Sequence, residues 1–372
     1  MDFDSFVAPV LVVVVALVVS WFGFRRIRVL SIKSYAKWRR ICERIVLSLV
    51  LLVVVAAGAS TAFNTLAIHY YRAVYPARGR LYAVDGYKMH LYCTGEGSPT
   101  IVLDAGLGND SLIWTNVQPT LSKTTRVCSY DRAGFGWSDP QSGPHDADRI
   151  ADQLHTLLNQ AVITGPIILM GHSIAGLYIR DYASRYPQNL SGLIFVDGST
   201  PLQDDRLPAT DPGNPRLELL EAKWLYVLGI PRITGGCKIS GFESSAGKML
   251  SEDQCRPSLF TALGREFESI RQSGNETIHT GPFGDIPILI FSQDTQPTSS
   301  TAPPSKEDEI WNQMQEELKR LSTRSRRIIA KGSSHYIQID RPDLLNSEVA
   351  SFIRQIRGEA LPAPDYGSTK TE

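Results

Sequence analysis

The 372-residue chain carries 38 basic and 38 acidic side chains, for a formal net charge of zero. That balance argues against a nucleic-acid-binding surface. No Cys-x-x-Cys or His-x-x-x-His spacing points to a metal, and nothing in the chain calls for a cofactor.

Two apolar stretches open the chain. Phe6 to Phe24 and Ile45 to Ile68 contain no charged residue, and each approaches the roughly 20 residues a helix needs to cross a bilayer. Between them Arg25, Arg26, Arg28, Lys33, Lys37, Arg39, Arg40 and Arg44 are opposed only by Glu43, whereas Asp2 and Asp4 precede the first stretch. The bias of basic residues towards the cytoplasm predicts a two-span membrane hairpin with its loop inside and the large domain outside the cytoplasm. Two other readings stay open. The first stretch is a signal peptide, although it lacks a basic leader and a small-residue cleavage site, or one span is retained in the opposite orientation.

From Arg80 onward strands and helices alternate. Arg80 to Val84 and Tyr87 to Cys93 flank Asp85-Gly86 and read as a hairpin. Strands follow at Thr100–Asp104, Arg126–Tyr130, Ile167–Met170, Leu193–Val196, Ile286–Phe291 and Arg327–Ala330. Amphipathic helices fit at Leu112–Leu121, Ala147–Ala161, Ile174–Tyr186, Glu307–Leu321 and Pro342–Arg357. This order predicts an α/β protein with a mostly parallel sheet covered on both faces. Ser199 to Asp285 breaks the rhythm with helix-like pieces at Leu217–Tyr226 and Leu259–Arg271, and reads as a cap over the site. The predicted division is a hairpin over 1–70, a core over 71–198, a cap over 199–285, a second core part over 286–358 and a disordered tail over 359–372. Among the cysteines, Cys237 and Cys255 are the expected bridge. Cys93 and Cys128 lie on predicted core strands and are expected to be free buried thiols.

The chemistry gathers at loops after strands, where open parallel sheets place their sites. "GHSIA" puts Ser173 on a sharp strand-to-helix corner, with the small residues Gly171 and Ala175 two positions to either side. Such a serine is either a nucleophile or an ordinary helix cap, and its partners decide. His335 follows the last strand and is the candidate base. Asp294, just past the seventh strand, completes the order Ser, Asp, His and is the preferred acid. Asp197, at the end of the sixth strand, is the alternative. The oxyanion donors are expected to be the amides of Leu107, in the turn after the third strand, and Ile174. Asp131 and Arg132 are expected to brace their loop, and Phe135 and Trp137 to line the pocket or pack in the core.

Together "LDAGLG", "YDRAGFGWSD", "GHSIAG" and "GSSHYIQIDRP" make Arg80 to Gly358 resemble the α/β-hydrolase fold superfamily. The resemblance implies an eight-stranded sheet with a helical cap inserted after the sixth strand. It also implies a cofactor-free serine hydrolase acting on an ester, thioester or lactone through an acyl-serine, with a small-molecule or lipid-like substrate. An acyltransferase or a proline-iminopeptidase-like peptidase is the alternative among enzymes, and a ligand-binding receptor or inactive scaffold outside them. A serine at position 173 disfavours the epoxide hydrolase and haloalkane dehalogenase relatives, which use aspartate there. The departures from the family pattern are Asp104-Ala105 at the oxyanion turn, Ala175 in the elbow, and Ser292-Gln293-Asp294 in place of a Gly-rich acid loop.

Overall fold

The computed structural model describes residues 7–30, 37–207, 215–238, 245–295 and 304–359. The tail expected to be disordered falls, from 360 on, outside the described residues.

Two helices, α1 (Ala8–Leu30) and α2 (Lys37–Val74), run antiparallel, and each is long and apolar enough to cross a membrane. Small residues let them approach closely. A Cβ on Gly58 would lie 2.8 Å from the Ala16 methyl, and one on Gly23 would lie 2.7 Å from Leu51. At the basic end Arg26 pairs with Glu43 at 2.8 Å.

The domain is built on strands β1 (Arg80–Val84), β2 (Tyr87–Thr94), β3 (Thr100–Asp104), β4 (Val127–Tyr130), β5 (Ile167–His172), β6 (Leu190–Val196), β7 (Ile288–Ser292) and β8 (Ser325–Ile329). They form one sheet in the order β1-β2-β4-β3-β5-β6-β7-β8. β2 is antiparallel to both neighbours, and every pairing from β4 to β8 is parallel. Asp85 and Gly86 both have positive φ, 50° and 84°, as the tight turn between β1 and β2 demands.

The helices of the domain are α3 (Gln118–Leu121), α4 (Ala147–Gln160), α5 (Ala175–Arg185), α6 (Gln203–Arg206), α7 (Pro215–Val227), α8 (Ile230–Thr234), α9 (Ser245–Asp253), α10 (Pro257–Thr277), α11 (Lys306–Glu317), α12 (Ile337–Asp340) and α13 (Pro342–Arg357). The inner strands are apolar on both faces because both are covered. Ile101 and Leu103 of β3 pack in one core with Phe352 and Ile353 of α13. Val102, pointing the other way, packs with Leu154 and Leu157 of α4 and Ile179 of α5. Helices α6 to α10 lie between β6 and β7 in the chain and form the cap.

Two expectations need correction. The helix expected over Leu112–Leu121 is two short pieces, a 3-10 turn at Ser111–Trp114 and α3. Asp110 caps the first by accepting from the Leu112 N–H, and Pro119, which has no N–H to give, opens the second. Cys93 and Cys128 are joined in a disulfide rather than free. The antiparallel register of β2 and β4 sets them directly opposite, with Cα atoms 4.0 Å apart. Cys237 and Cys255 form a second disulfide within the cap.

Candidate active site

Strand β5 delivers Ser173 to the corner before α5 with φ of 54°, a left-handed backbone that a non-glycine residue adopts only at a cost. Surrounding backbone bonds hold it there. The Ser173 N–H donates to the Val196 carbonyl (3.1 Å), and its own carbonyl accepts from the N–H groups of Gly176 and Ser199 (both 2.8 Å). Crowding explains the small residues. A Cβ on Gly171 would come within 2.8 Å of the Ala175 carbonyl oxygen, and one on Gly176 within 2.8 Å of the Ser199 backbone. Ala175 itself is fully buried, so the position after the elbow accepts one methyl, and the glycine the corner requires is Gly176.

Strand β6 ends in a second left-handed residue, Asp197, with φ of 48° and a side chain closed off from solvent. Its Oδ2 lies 2.6 Å from His335 Nδ1. Its Oδ1 accepts from the Gln293 N–H and from Trp311 Nε1–H, both at 3.0 Å. The carboxylate thus contacts three nitrogen groups, on β7's following loop, on α11 and on His335.

Asp294, the preferred acid on sequence grounds, is engaged elsewhere. Its Oδ2 accepts from the Gly332 N–H (2.9 Å), its Oδ1 lies 3.4 Å from Lys331 Nζ, and its N–H donates to the Ser333 carbonyl (3.2 Å). It ties down the loop that carries His335. The reason is register: Val196 pairs with Phe291, so Asp197 stands level with Ser292 while Asp294 lies farther along, beyond the strand end. Asp197, the alternative, is therefore the carboxylate in contact with the imidazole.

The turn after β3 closes on the elbow from the other side. A Cβ on Gly106 would lie 2.6 Å from His172 Nδ1 and 3.3 Å from the Ser173 Cβ. The next residue, Leu107, packs against the cluster containing Ile174. His172 Nε2–H donates to the His335 carbonyl (3.0 Å), and the two rings lie 4.7 Å apart. Burial, and then the neighbouring His335, push the His172 pKa well below the usual histidine range, so it packs as a neutral ring.

Arg132 shapes this turn. Its guanidinium donates to the carbonyls of Ala105 (2.6 Å) and Gly106 (2.8 Å), to Asp104 (2.6 Å) and to Glu266 of α10 (2.5 and 3.1 Å). Tyr130 adds a hydrogen bond to Asp104 at 2.8 Å. Burial raises the pKa of both Asp104 and Glu266, and Arg132 opposes that rise. Burial also works against the Arg132 charge, but Glu266 and Asp104 outweigh it and raise its pKa well above the usual value.

Asp131 stands one residue before Arg132 and binds His90 Nδ1 and the N–H groups of Ser111 and Trp137 at 2.8 to 2.9 Å. Phe135 is fully buried against Leu259 and Ala262 of α10, and Trp137 packs beside His90. Neither lines the cleft by the turn after β3. That cleft, of about 570 Å³, is lined by Leu107 and Gly108 on one side, Leu259, Phe260 and Leu263 of α10 on another, and Ser334 and Tyr336 flanking His335.

Sequence reasoning missed Glu266, Trp311 and His172. Glu266 did leave a signal: it falls on the same helical stripe as Leu259, Ala262, Ser269 and Ser273, and a lone carboxylate on a buried stripe demands a cation. Among the described residues no group of three or more His, Cys, Asp and Glu side chains is placed to hold a metal.

The comparisons agree with this architecture. Residues 99–223 match the model of the α/β hydrolase fold family. Over 289 residues the chain is 27% identical to a probable transporter of Hormonema carpetanum, covering 70% of this chain but 40% of that protein's length. The next two curated relatives are likewise spanned over 42% and 51% of their length, so this chain corresponds to about half of these relatives or less. A thermophilic esterase from Thermogutta terrifontis superposes with a TM-score of 0.54 at 19% identity, over 74% of this chain and 98% of the esterase. An epoxide hydrolase solved without ligand gives 0.54 at 14% identity, over 75% and 99%. Sheet order and elbow give the chain the α/β-hydrolase fold, and its residues 99–223 are similar to the family described by that fold.

Proposed function

We propose that the chain is a membrane-anchored serine hydrolase that cleaves a carboxylic ester, thioester or lactone through an acyl-serine intermediate. Ser173 Oγ attacks the substrate carbonyl as His335 Nε2 takes its proton. Asp197 accepts from His335 Nδ1–H, holds the ring and stabilises the imidazolium. The amides of Leu107 and Ile174 receive the oxyanion. The tetrahedral intermediate collapses, the alcohol or thiol leaves with the proton from His335, and a water deprotonated by His335 then releases the acid. On general grounds the base contributes about 10²- to 10⁴-fold and each oxyanion donor about 10²- to 10³-fold.

The observation that carries this reading is the 2.6 Å contact between His335 Nδ1 and the fully buried Asp197. An anionic acceptor there requires the proton on Nδ1, which leaves Nε2 bare to act as the base. The serine at the elbow favours acyl transfer over epoxide opening, because the epoxide hydrolase relatives depend on an aspartate at that position. The two N-terminal helices supply the anchor.

The test is hydrolysis of p-nitrophenyl esters of rising chain length by the detergent-solubilised full chain, with Ser173→Ala and His335→Ala as controls. Turnover that both substitutions abolish supports the reading. A folded wild-type protein inert towards every ester would overturn it.

A further inference from the structure

The anchor and the cleft meet in the cap. Helix α2 is uncharged from Ile45 to Ile68. At about 1.5 Å per residue, a hydrocarbon layer of roughly 30 Å entered at Ile45 is left near Asn64.

At that level α2 is joined to the corner between α7 and α8. Ser60 Oγ donates to the Leu228 carbonyl (2.5 Å), and Asn64 Nδ2 donates to the Tyr226 carbonyl (2.8 Å). Asn64 Oδ1 accepts from Arg232 Nε (2.7 Å). Thr61 and Asn64 are buried, and a Cβ on Gly229 would lie 2.9 Å from the Asn64 Cβ. Polar side chains on a spanning helix are costly unless they find partners, and here the partners are carbonyls of the cap.

Five large apolar side chains within two turns of this corner are exposed. Leu220, Trp224 and Leu225 of α7 are 43 to 49% exposed, and Ile230 and Ile233 of α8 are 42 and 63% exposed. Water is a poor partner for such a patch, whereas aromatic and aliphatic side chains of this kind are stable about 5–10 Å into the boundary between headgroups and acyl chains. The corner also reaches the cleft: the Tyr226 ring lies 4.4 Å from that of Phe260, which lines the cavity beside the oxyanion turn.

We infer that the α7–α8 corner is seated in the leaflet on the domain's side, and that the cleft takes its substrate from that leaflet as a long-chain lipid ester. The seat continues the apolar surface of α2, and the leaflet is its occupant. The inference rests on the proposed anchoring and serine-hydrolase chemistry.

The test uses the full chain in phosphatidylcholine vesicles and the double variant Trp224→Glu, Ile233→Glu. Wild-type fluorescence should be quenched by brominated phosphatidylcholine to an extent that falls in Trp224→Phe. The double variant should hydrolyse a vesicle-resident long-chain ester about tenfold less efficiently, while turnover of soluble p-nitrophenyl butyrate stays within about twofold of wild type.

An unchanged ratio of the two activities, with quenching indifferent to Trp224, overturns the inference. So does a double variant whose one change is from dimer to monomer, since the patch would then cover a second copy. Failures of the premises are recognised separately. Release of the wild-type protein from vesicles by alkaline carbonate removes the anchor. Absence of wild-type butyrate turnover removes the hydrolase. Either outcome overturns the inference as well.

Discussion

The core side and the cap side of the candidate site are held by different physics. On the core side, Ser173 and Asp197 stand at strand ends in left-handed backbone conformations, fixed by amide-to-carbonyl bonds to their neighbours. On the cap side, α10 is fixed to the core by the buried Arg132–Glu266 pair. Backbone bonds between neutral groups are indifferent to pH and survive most side-chain changes. A buried charge is stable only while its partner is present and ionised. Changes on the core side should therefore cost chemistry and leave the fold, and changes on the cap side should cost the fold first.

The largest effect expected is on the core side. Ser173→Ala should lower kcat/KM for a p-nitrophenyl ester by on the order of 10⁴- to 10⁶-fold, with an unchanged urea midpoint. A parallel fall in stability would break the contrast. Next, Asp197→Asn should cost about 10⁴-fold, because the neutral amide no longer holds the proton on His335 Nδ1. Asp294→Asn, which alters the bracing of the His335 loop, should cost about tenfold or less. Reversal of these two values in steady-state kinetics would return the acid to Asp294.

The cap side sharpens the contrast. Glu266→Gln leaves Arg132 buried with one charge partner fewer, and should destabilise the domain by about 3–5 kcal/mol in urea unfolding. His145 supplies a smaller, pH-dependent effect where the core meets α10: its backbone N–H donates to Ser269 Oγ at 3.2 Å. Burial and then the nearby Arg265 push the His145 pKa down to about 4. The unfolded chain, with its histidine near the ordinary 6.5, therefore takes up this proton first as the pH falls. Stability should drop between pH 6.5 and about 4, by up to about 3 kcal/mol from this one group. His145→Gln should flatten that part of the stability profile, and an unchanged acid limb in thermal unfolding would count against it.

The same division governs what could be read from the sequence. The strands, the elbow and the order of Ser173 and His335 were legible because they follow local rules: apolar runs for buried strands, small residues around a strained corner, a loop after the last strand. The choice between Asp197 and Asp294 was not, because it depends on how β6 and β7 are set in register. The same is true of Cys93 and Cys128, whose bond is fixed by the pairing of β2 with β4. The short pieces around Pro119 show a local rule that was present and outweighed by an apparent apolar period. The cap was legible as an insertion and no more. Its attachments run from Tyr226 to Asn64 and from Glu266 to Arg132, and no spacing along the chain foretells them.

The central claim is that Ser173 is a nucleophile activated by His335 and Asp197. It is tested most directly by reacting the folded full chain with a fluorophosphonate probe and locating the adduct by mass spectrometry in the wild type, Asp197→Asn and Asp294→Asn. The account predicts an adduct on Ser173 in the wild type and in Asp294→Asn, formed far more slowly in Asp197→Asn. An unlabelled Ser173 in the folded wild type, or labelling that depends on Asp294 and not on Asp197, would contradict it.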